Sequence, residues 1–348
     1  MIQEKLWRAM LICSLLFTAG AMGVMLWFSA TKTIVIAEEA APEQGSVLPS
    51  ESEEDRLRFE TGGGVKLAIS LPEQLKADDI VIENRYMEHE IHIILTGQYG
   101  DFYRKNAISG NTEKIKEGFF GEEEGSTRLR LVMDGLYEHQ YIFENGVLYL
   151  DFLPPKQLYD KILVVDAACG GREDGNTGNG IKEKTLTLKL SELVKEALAD
   201  SEIRVYCTRT DDSRISPERR LEFADELGAD LLVSIRAGAD SGSAQVFGIQ
   251  SFYNADYFIP YLGNVQLADL LERNVVEAAG GKANGLFEAS KDDFLLQNAQ
   301  IPSAAIAVGY LTNREEAAAL EREDYQKKLA EGIAKAVEEA FAVREQEP

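Results

Sequence analysis

The second half of the chain alternates short apolar runs with amphipathic segments, and this alternation constrains the fold more than any other feature. After Pro154 and Pro155 the pattern predicts strands at 162–165, 203–207, 231–235, 247–253 and 304–308. It predicts helices at 184–199, 217–227, 261–278 and 324–341. Strands that alternate with helices of this length are typical of a parallel or mixed sheet covered by helices on both faces. We therefore expect an α/β domain at 159–344.

Residues 59–155 follow a different pattern, in which apolar and polar side chains alternate with a period of two. The alternation is clear at 65–70, 91–96, 128–133 and 147–152, and Asn145 and Gly146 predict a turn before the last of these runs. Such runs predict antiparallel strands with one buried face. We expect a small β-rich, sandwich-like domain here, with a loop-rich stretch at 101–125.

The N-terminal segment predicts a membrane anchor. Residues 9–30 form a 22-residue stretch without a charged side chain, which as a helix would span about 33 Å, enough for the ~30 Å core of a bilayer. Lys5 and Arg8 precede it and favour a cytoplasmic N-terminus. The prediction is a single-pass signal anchor within residues 1–30, with the rest of the chain outside the cell membrane. A long signal peptide cleaved near Ala41 and a buried core helix are the alternatives.

The charge of the chain limits its partners. Residues 31–58 carry seven acidic side chains and two prolines, which predicts an extended acidic tether. The whole chain has 36 Lys and Arg against 59 Asp and Glu, a net charge of −23. Nucleic acid is not an expected partner, because phosphate backbones are bound by Lys and Arg. Three cysteines are too few for a disulfide framework.

Three segments in the α/β half carry a resemblance to a known family. They are VVDAACGGREDGNTGNGIKEKTLTLKL, VYCTRTDDSRISPERRLEFADELGADLLVSIRAGAD and IPSAAIAVGYLTNREEAAALEREDYQKKLAEGIAKAVEEAF. Residues 161–343 resemble the zinc-dependent N-acetylmuramoyl-L-alanine amidases of amidase family 3. That resemblance implies hydrolysis of the amide between the lactyl group of N-acetylmuramic acid and the L-alanine of the peptidoglycan stem peptide. Residues 126–152 resemble, more loosely, the closing half of an AMIN domain, a cell-wall targeting module, which implies contact with peptidoglycan.

The same resemblance implies four functional positions, and three of them differ from the family. Cys169 stands where the first histidine ligand of zinc is expected, and Arg236 stands where the second histidine is expected. Glu183 retains the glutamate ligand, whereas Ala307 replaces the catalytic glutamate. A thiolate can bind zinc, but a guanidinium offers no lone pair to a metal, and residues 140–348 contain no histidine.

The expected function follows from these replacements. Without zinc or a general base, bound water is a poor nucleophile, so we expect no zinc cofactor and no catalysis. The prediction is a pseudoenzyme of the cell wall that binds peptidoglycan or a cell-wall or division protein. The alternative is an active N-acetylmuramoyl-L-alanine amidase that holds Zn²⁺ and acts in peptidoglycan breakdown.

The residues at the positions that the resemblance assigns to zinc are also expected to contact one another. Because the family places positions 183 and 236 around one ion, we expect Arg236 to pair with Glu183, the alternative being an arginine that points into solvent. Two further alternatives concern Cys169: a reactive thiol beside this cation, and a disulfide with Cys207, for which neighbouring parallel strands rarely offer the geometry. A ligand-binding cleft would be lined by Cys169, Glu183, Arg236, Arg209 and Asn313.

Overall fold

The computed structural model describes residues 54–61, 64, 66–256, 259 and 261–345 of the 348-residue chain. The predicted anchor and most of the predicted tether lie outside these residues. Within the described part of the chain, no helix has both the length and the apolar character needed to cross a bilayer. Residues 51–348 form one compact unit. In it we distinguish a β-rich region, residues 54–153, and an α/β region, residues 161–345.

The β-rich region consists of two five-stranded sheets that enclose a common apolar core. Its strands are β1 Asp55–Arg56, β2 Phe59–Thr61, β3 Leu67–Ser70, β4 Ile80–Arg85, β5 Glu90–Thr96, β6 Ile108–Gly110, β7 Ile115–Glu123, β8 Ser126–Met133, β9 Glu138–Glu144 and β10 Val147–Leu153. The strand orders are β1-β7-β8-β5-β4 and β2-β6-β3-β10-β9. Antiparallel pairing places the alternating apolar residues of β5, β8 and β10 in the core.

Two predictions in this region are wrong. The stretch 101–125, expected to be rich in loops, contains most of helix α1, Gly100–Lys105, and all of strands β6 and β7. A bulge between Ile115 and Glu117 interrupts the register of β7, and such an extra residue hides the period of two in the sequence. The acidic tether does not extend to residue 58, because β1 already pairs with Phe119 and Phe120.

The α/β region confirms the predicted mixed α/β fold with helices flanking a sheet. Its strands are β11 Lys161–Ala167, β12 Thr177–Gly178, β13 Ile181–Lys182, β14 Ile203–Cys207, β15 Leu231–Gly238, β16 Ile249–Tyr253, β17 Ala283–Glu288 and β18 Ser303–Tyr310. Its helices are α2 Glu183–Ala197, α3 Pro217–Leu227, α4 Asn264–Ala279, α5 Phe294–Asn298, α6 Arg314–Leu320 and α7 Glu323–Glu345. Of these, β12, β13, β17, α5 and α6 have no counterpart in the sequence-based prediction. The six-stranded sheet has the order β14-β11-β15-β18-β16-β17. All its pairs are parallel except β16 with β18.

Helices cover both faces of this sheet. Apolar residues of α2, α4 and α7 pack on one face, and residues of α3 and α5 pack on the other. Strands β11, β15 and β18 are parallel neighbours, so their carboxyl ends meet at one edge of the sheet, the usual place for a site in an open α/β sheet. The positions corresponding to the family's zinc ligands and catalytic base lie at or near this edge.

The two regions share a buried junction. The carboxylate of Glu138, on β9, accepts hydrogen bonds from Tyr86 Oη (2.9 Å), Tyr206 Oη (2.5 Å) and Arg204 Nη2 (2.8 Å). Leu136 belongs to the same apolar cluster as residues of α3. Side chains from both regions thus complete one polar network and one core cluster, so the β-rich region is tied to strand β14.

Candidate functional site

The loop after β11 carries Cys169, and two buried arginines hold its backbone. Arg220 donates to the carbonyl oxygens of Ala167 (2.7 Å) and Cys169 (2.8 Å). Arg209 donates to the carbonyl oxygens of Ala167 (3.0 Å) and Ala168 (3.2 Å). Cys169 adopts a left-handed conformation with φ of 64°, which a residue with a side chain rarely takes unless its surroundings impose it. The position of the thiol is therefore fixed by backbone contacts.

Glu183 opens helix α2 and lies beside this thiol. Its carboxylate accepts hydrogen bonds from the backbone N–H groups of Ala237 (2.9 Å) and Asn176 (2.7 Å). A Cβ atom added to Gly175 would lie 2.5 Å from Glu183 Oε2 and 2.6 Å from Cys169 Sγ. The loop backbone at Gly175 thus packs against both side chains, and only glycine fits there. The structure brings Cys169 and Glu183 together, as the family's metal site requires.

Burial determines the charge state of the thiol. Burial raises the pKa of Glu183, outweighing the hydrogen bonds that it accepts. Burial and the nearby Glu183 carboxylate raise the pKa of Cys169 to about 12, so this thiol is neutral near pH 7. Because the thiolate is the reactive form, the raised pKa disfavours a reactive Cys169. The alternative of a disulfide is wrong, since Cys169 and Cys207 are both free.

Arg236, on β15, has a different partner from the one expected. Its Nη1 and Nη2 atoms donate to the two carboxylate oxygens of Asp293 at 2.5 and 3.2 Å, and its Nε donates to Ser234 Oγ at 3.2 Å. Burial lowers the pKa of Arg236, but the ion pair with Asp293 outweighs it and the net shift is upward. The predicted pair between Arg236 and Glu183 is wrong, because the Glu183 oxygens accept backbone amides while Asp293 lies within reach.

Ala307 lies directly opposite Arg236. The parallel register of β15 and β18 pairs these two residues, and the antiparallel register of β18 and β16 pairs Ala307 with Gln250. Ala307 is buried. The position of the family's catalytic glutamate therefore holds a methyl group, between a guanidinium on one strand and an amide on the next.

This set of side chains does not fit a catalytic zinc. Such a site needs about three protein ligands and one open position for water. Cys169 and Glu183 are two donors, but the third position holds Arg236, a cation that is already paired with Asp293. Across the described residues, no three His, Cys, Asp or Glu side chains are close enough together to hold a metal ion.

Two other predicted cleft residues have structural roles. All of the Arg209 donors bond to backbone carbonyls or to a threonine hydroxyl inside the protein. Asn313 is the N-cap of α6, where its Oδ1 accepts from the N–H groups of Glu315 (3.0 Å) and Glu316 (3.1 Å). Both residues thus hold loops near the motifs, and Arg209 also lines a cavity beside β14; a ligand-binding role for the two residues stays a prediction.

Two residues of the site were not found by sequence reasoning. Asp293 follows no motif, and its role depends on the short helix α5, whose first turn it caps through Leu296 N. Asp166 accepts from Ser234 Oγ (2.7 Å) and Thr208 Oγ1 (2.9 Å) and pairs with Arg220. One sequence feature could have identified Asp166, namely that it is an acidic residue at the end of an otherwise apolar strand.

Comparison with known proteins shows which proteins the chain is similar to. The family model of N-acetylmuramoyl-L-alanine amidases matches residues 163–339. The uncharacterized protein YqiI of Bacillus subtilis (strain 168) is 30% identical over 181 residues, covering 52% of this chain and 85% of that protein. The germination-specific N-acetylmuramoyl-L-alanine amidase of the same organism is 29% identical over 227 residues, covering 61% of this chain and 92% of that enzyme.

A solved structure supports the same assignment. The N-acetylmuramoyl-L-alanine amidase from Clostridium difficile 630 superposes with a TM-score of 0.50 at 28% identity, covering 52% of this chain and 97% of that one. The family model spans more than half of the chain and includes residues 169, 183, 236 and 307. The chain therefore belongs to the N-acetylmuramoyl-L-alanine amidase family.

Proposed function

We propose that this protein is a membrane-anchored, extracytoplasmic cell-wall protein whose amidase-like region has lost zinc and catalysis. In this proposal it acts by binding peptidoglycan or a partner protein of the cell wall or the division machinery. The observation that carries the proposal is the bidentate ion pair between Arg236 and Asp293 at the third ligand position. A metal bound there would have to displace a paired guanidinium and would then lie beside a positive charge.

The surroundings of the pair support loss of the reaction. Ala307, opposite Arg236, has no carboxylate to take a proton from water. Cys169, whose pKa burial and Glu183 raise to about 12, replaces the histidine that the resemblance implies at the first ligand position. Arg236 and Ala307 both act against the zinc-hydroxide chemistry that the resemblance implies, because one is a cation and the other has no carboxylate.

The location is proposed from the sequence. The uncharged stretch 9–30, preceded by Lys5 and Arg8, supports a single membrane anchor with the remainder of the chain outside. The AMIN-like pattern at 126–152 supports contact with peptidoglycan. Both are consistent with a family whose named members, such as the germination-specific enzyme of Bacillus subtilis, are N-acetylmuramoyl-L-alanine amidases.

The active enzyme is the second candidate, and one observation favours it. Cys169 and Glu183 still lie together, as two donors of one site would. A ligand from outside the described residues or a second copy would then have to complete the coordination sphere.

Two measurements on the purified protein separate the candidates. We expect elemental analysis after dialysis to find far less than one zinc per chain, and release of stem peptide from peptidoglycan sacculi to equal that of buffer. The matched control is the triple variant Cys169→His, Arg236→His, Ala307→Glu, which restores the family's residues and should gain zinc. About one zinc per unmodified chain, with cleavage abolished by Glu183→Gln, would instead establish the active amidase.

A further inference from the structure

Strand β14 is an edge of the six-stranded sheet, and two cavities lie along it. Within the described residues β11 is its only strand neighbour. Thr208 N donates to Val165 O, and in a parallel pair alternate residues bond to the same neighbour. The backbone groups of Arg204 and Tyr206 therefore face β11, whereas those of Val205 and Cys207 face away from the sheet. No described residue accepts a hydrogen bond from the N–H of Val205 or Cys207.

A groove follows this edge. Two cavities of about 720 and 420 Å³ lie along β14, and both are lined by Lys195, Arg204 and Val205. The first extends along α2 past Glu192 and Glu196, and the second extends between β14 and the end of β4. Five residues of strand rise about 17 Å, so the combined groove has the length of a short extended peptide.

The part of the groove where the two cavities meet, here called its waist, is positively charged, although the protein as a whole is strongly acidic. Lys195 is exposed and forms no ion pair with any described residue. Arg204 bonds to Glu138 through Nη2, but its Nε is buried without an acceptor in the described structure. These two cations lie where the cavities meet. Acidic side chains line the rest of both cavities: Glu192, Glu196 and Glu202 in the first, and Glu83, Glu88 and Asp211 in the second. The charge pattern favours an acidic group at the waist.

We propose that the β14 edge binds an extended segment of a partner protein as an added strand, with an acidic side chain of that segment between Lys195 and Arg204. The backbone groups of Val205 and Cys207 supply the ladder hydrogen bonds, which give affinity, and the two cations select the sequence. This site is separate from the degenerate amidase site, so it does not depend on the loss of zinc or catalysis.

The test uses the full-length protein and a synthetic eight-residue peptide of alternating threonine and valine with one central glutamate. Titration followed by amide hydrogen exchange should show binding that slows exchange at Val205 and Cys207 and leaves Arg204 and Tyr206 unchanged. N-methylation of the peptide amides that face β14 should abolish binding, whereas N-methylation of the alternate amides should leave it intact. Replacing the glutamate by lysine should weaken binding about tenfold or more, equivalent to about 1.4 kcal/mol.

Protein variants supply the matched control. Lys195→Glu should weaken binding of the acidic peptide about tenfold and strengthen binding of the lysine peptide. Lys328→Glu, an exposed lysine of α7 outside the groove, changes the net charge equally and should leave affinity within about twofold. Three results would overturn the proposal: no binding at millimolar peptide, binding indifferent to N-methylation and to Lys195→Glu, or stronger protection of the two amides by a cell-wall stem peptide.

Discussion

Arg236 and Asp293 form a two-pronged ion pair although 57 positions separate them in the chain. One residue lies on a central strand of the sheet and the other caps the helix α5 packed over it. Through Ser234, the guanidinium is also connected to the buried Asp166 and Arg220. A continuous set of polar contacts thus runs along one face of the sheet from α5 to α3, beside the positions that the resemblance assigns to a metal site.

We expect Arg236→Ala and Asp293→Ala each to destabilise the protein by roughly 2 kcal/mol. The side chains are 26% and 10% exposed, so the loss should lie between the about 0–1 kcal/mol of an exposed pair and the about 3–5 kcal/mol of a buried one. In denaturant melts the double variant should recover part of the loss, with a coupling energy above about 1 kcal/mol.

The control for this prediction is a second double-mutant cycle, which combines Arg236→Ala with Glu183→Ala. Its coupling energy should be smaller, because these side chains are not bonded to each other and the Glu183 carboxylate accepts from Ala237 and Asn176. If the Glu183 cycle gave the larger coupling, the partner assigned to Arg236 would be incorrect.

Asp166 should make the stability depend on acid pH. Burial raises the pKa of this carboxyl, but Arg220 and three hydrogen bonds outweigh it and the net shift is downward. A lowered carboxyl pKa stabilises the fold above the unfolded-state value of about 3.9, and the contribution is lost as pH falls through the folded-state value. Asp166→Asn should therefore cost about 3–5 kcal/mol at pH 7, and the difference from the parent should shrink below about pH 4.

An exposed aspartate on α4 provides the comparison. Asp269→Asn removes a carboxylate of which 58% of the side chain is exposed, and it should change stability by less than about 0.5 kcal/mol at either pH. A constant cost of Asp166→Asn between pH 7 and pH 3 would show that its charge is not the source of the effect.

The Cys169 thiol should resist alkylation. With a pKa of about 12, caused by burial and by Glu183, its thiolate fraction at pH 8 is roughly a thousandfold below that of a free cysteine. Glu183→Gln removes the neighbouring negative charge and should accelerate iodoacetamide labelling of Cys169 severalfold. Cys207, whose pKa is raised to about 11 chiefly by burial, should keep its rate, as followed by site-resolved mass spectrometry. Equal rates before and after Glu183→Gln would contradict the electrostatic cause.

The junction around Glu138 should join the two regions in one unfolding transition. Glu138→Ala leaves Tyr86, Tyr206 and Arg204 without their shared acceptor, which should cost more than about 2 kcal/mol. The exposed Glu144→Ala, at the end of the same strand, should cost less than about 0.5 kcal/mol. Two separate thermal transitions in the parent protein would show that the regions unfold independently.

Most helices and strands of the α/β region could be predicted because their patterns are local. The strand Ile203–Cys207 and the helix Pro217–Leu227 have the predicted bounds, since a short apolar run and an N-terminal proline are visible in the sequence. The strand Ala283–Glu288 was missed because it is an exposed edge without a regular apolar pattern. In the β-rich region, strand β7 was missed because a bulge interrupts its alternation of apolar and polar side chains.

The sequence alone determined which side chains occupy the four functional positions, because residue identity within a motif is a local property. Cys169, Arg236 and Ala307 stand where the resemblance implies two ligands and a base, and Glu183 stands where it implies the remaining ligand. Only the tertiary structure decided what these residues contact. The partner of Arg236 is a residue on a helix that the pattern did not predict, and the charge state of Cys169 follows from burial beside Glu183. Ion pairing and desolvation depend on which distant segments meet, and no local pattern records that.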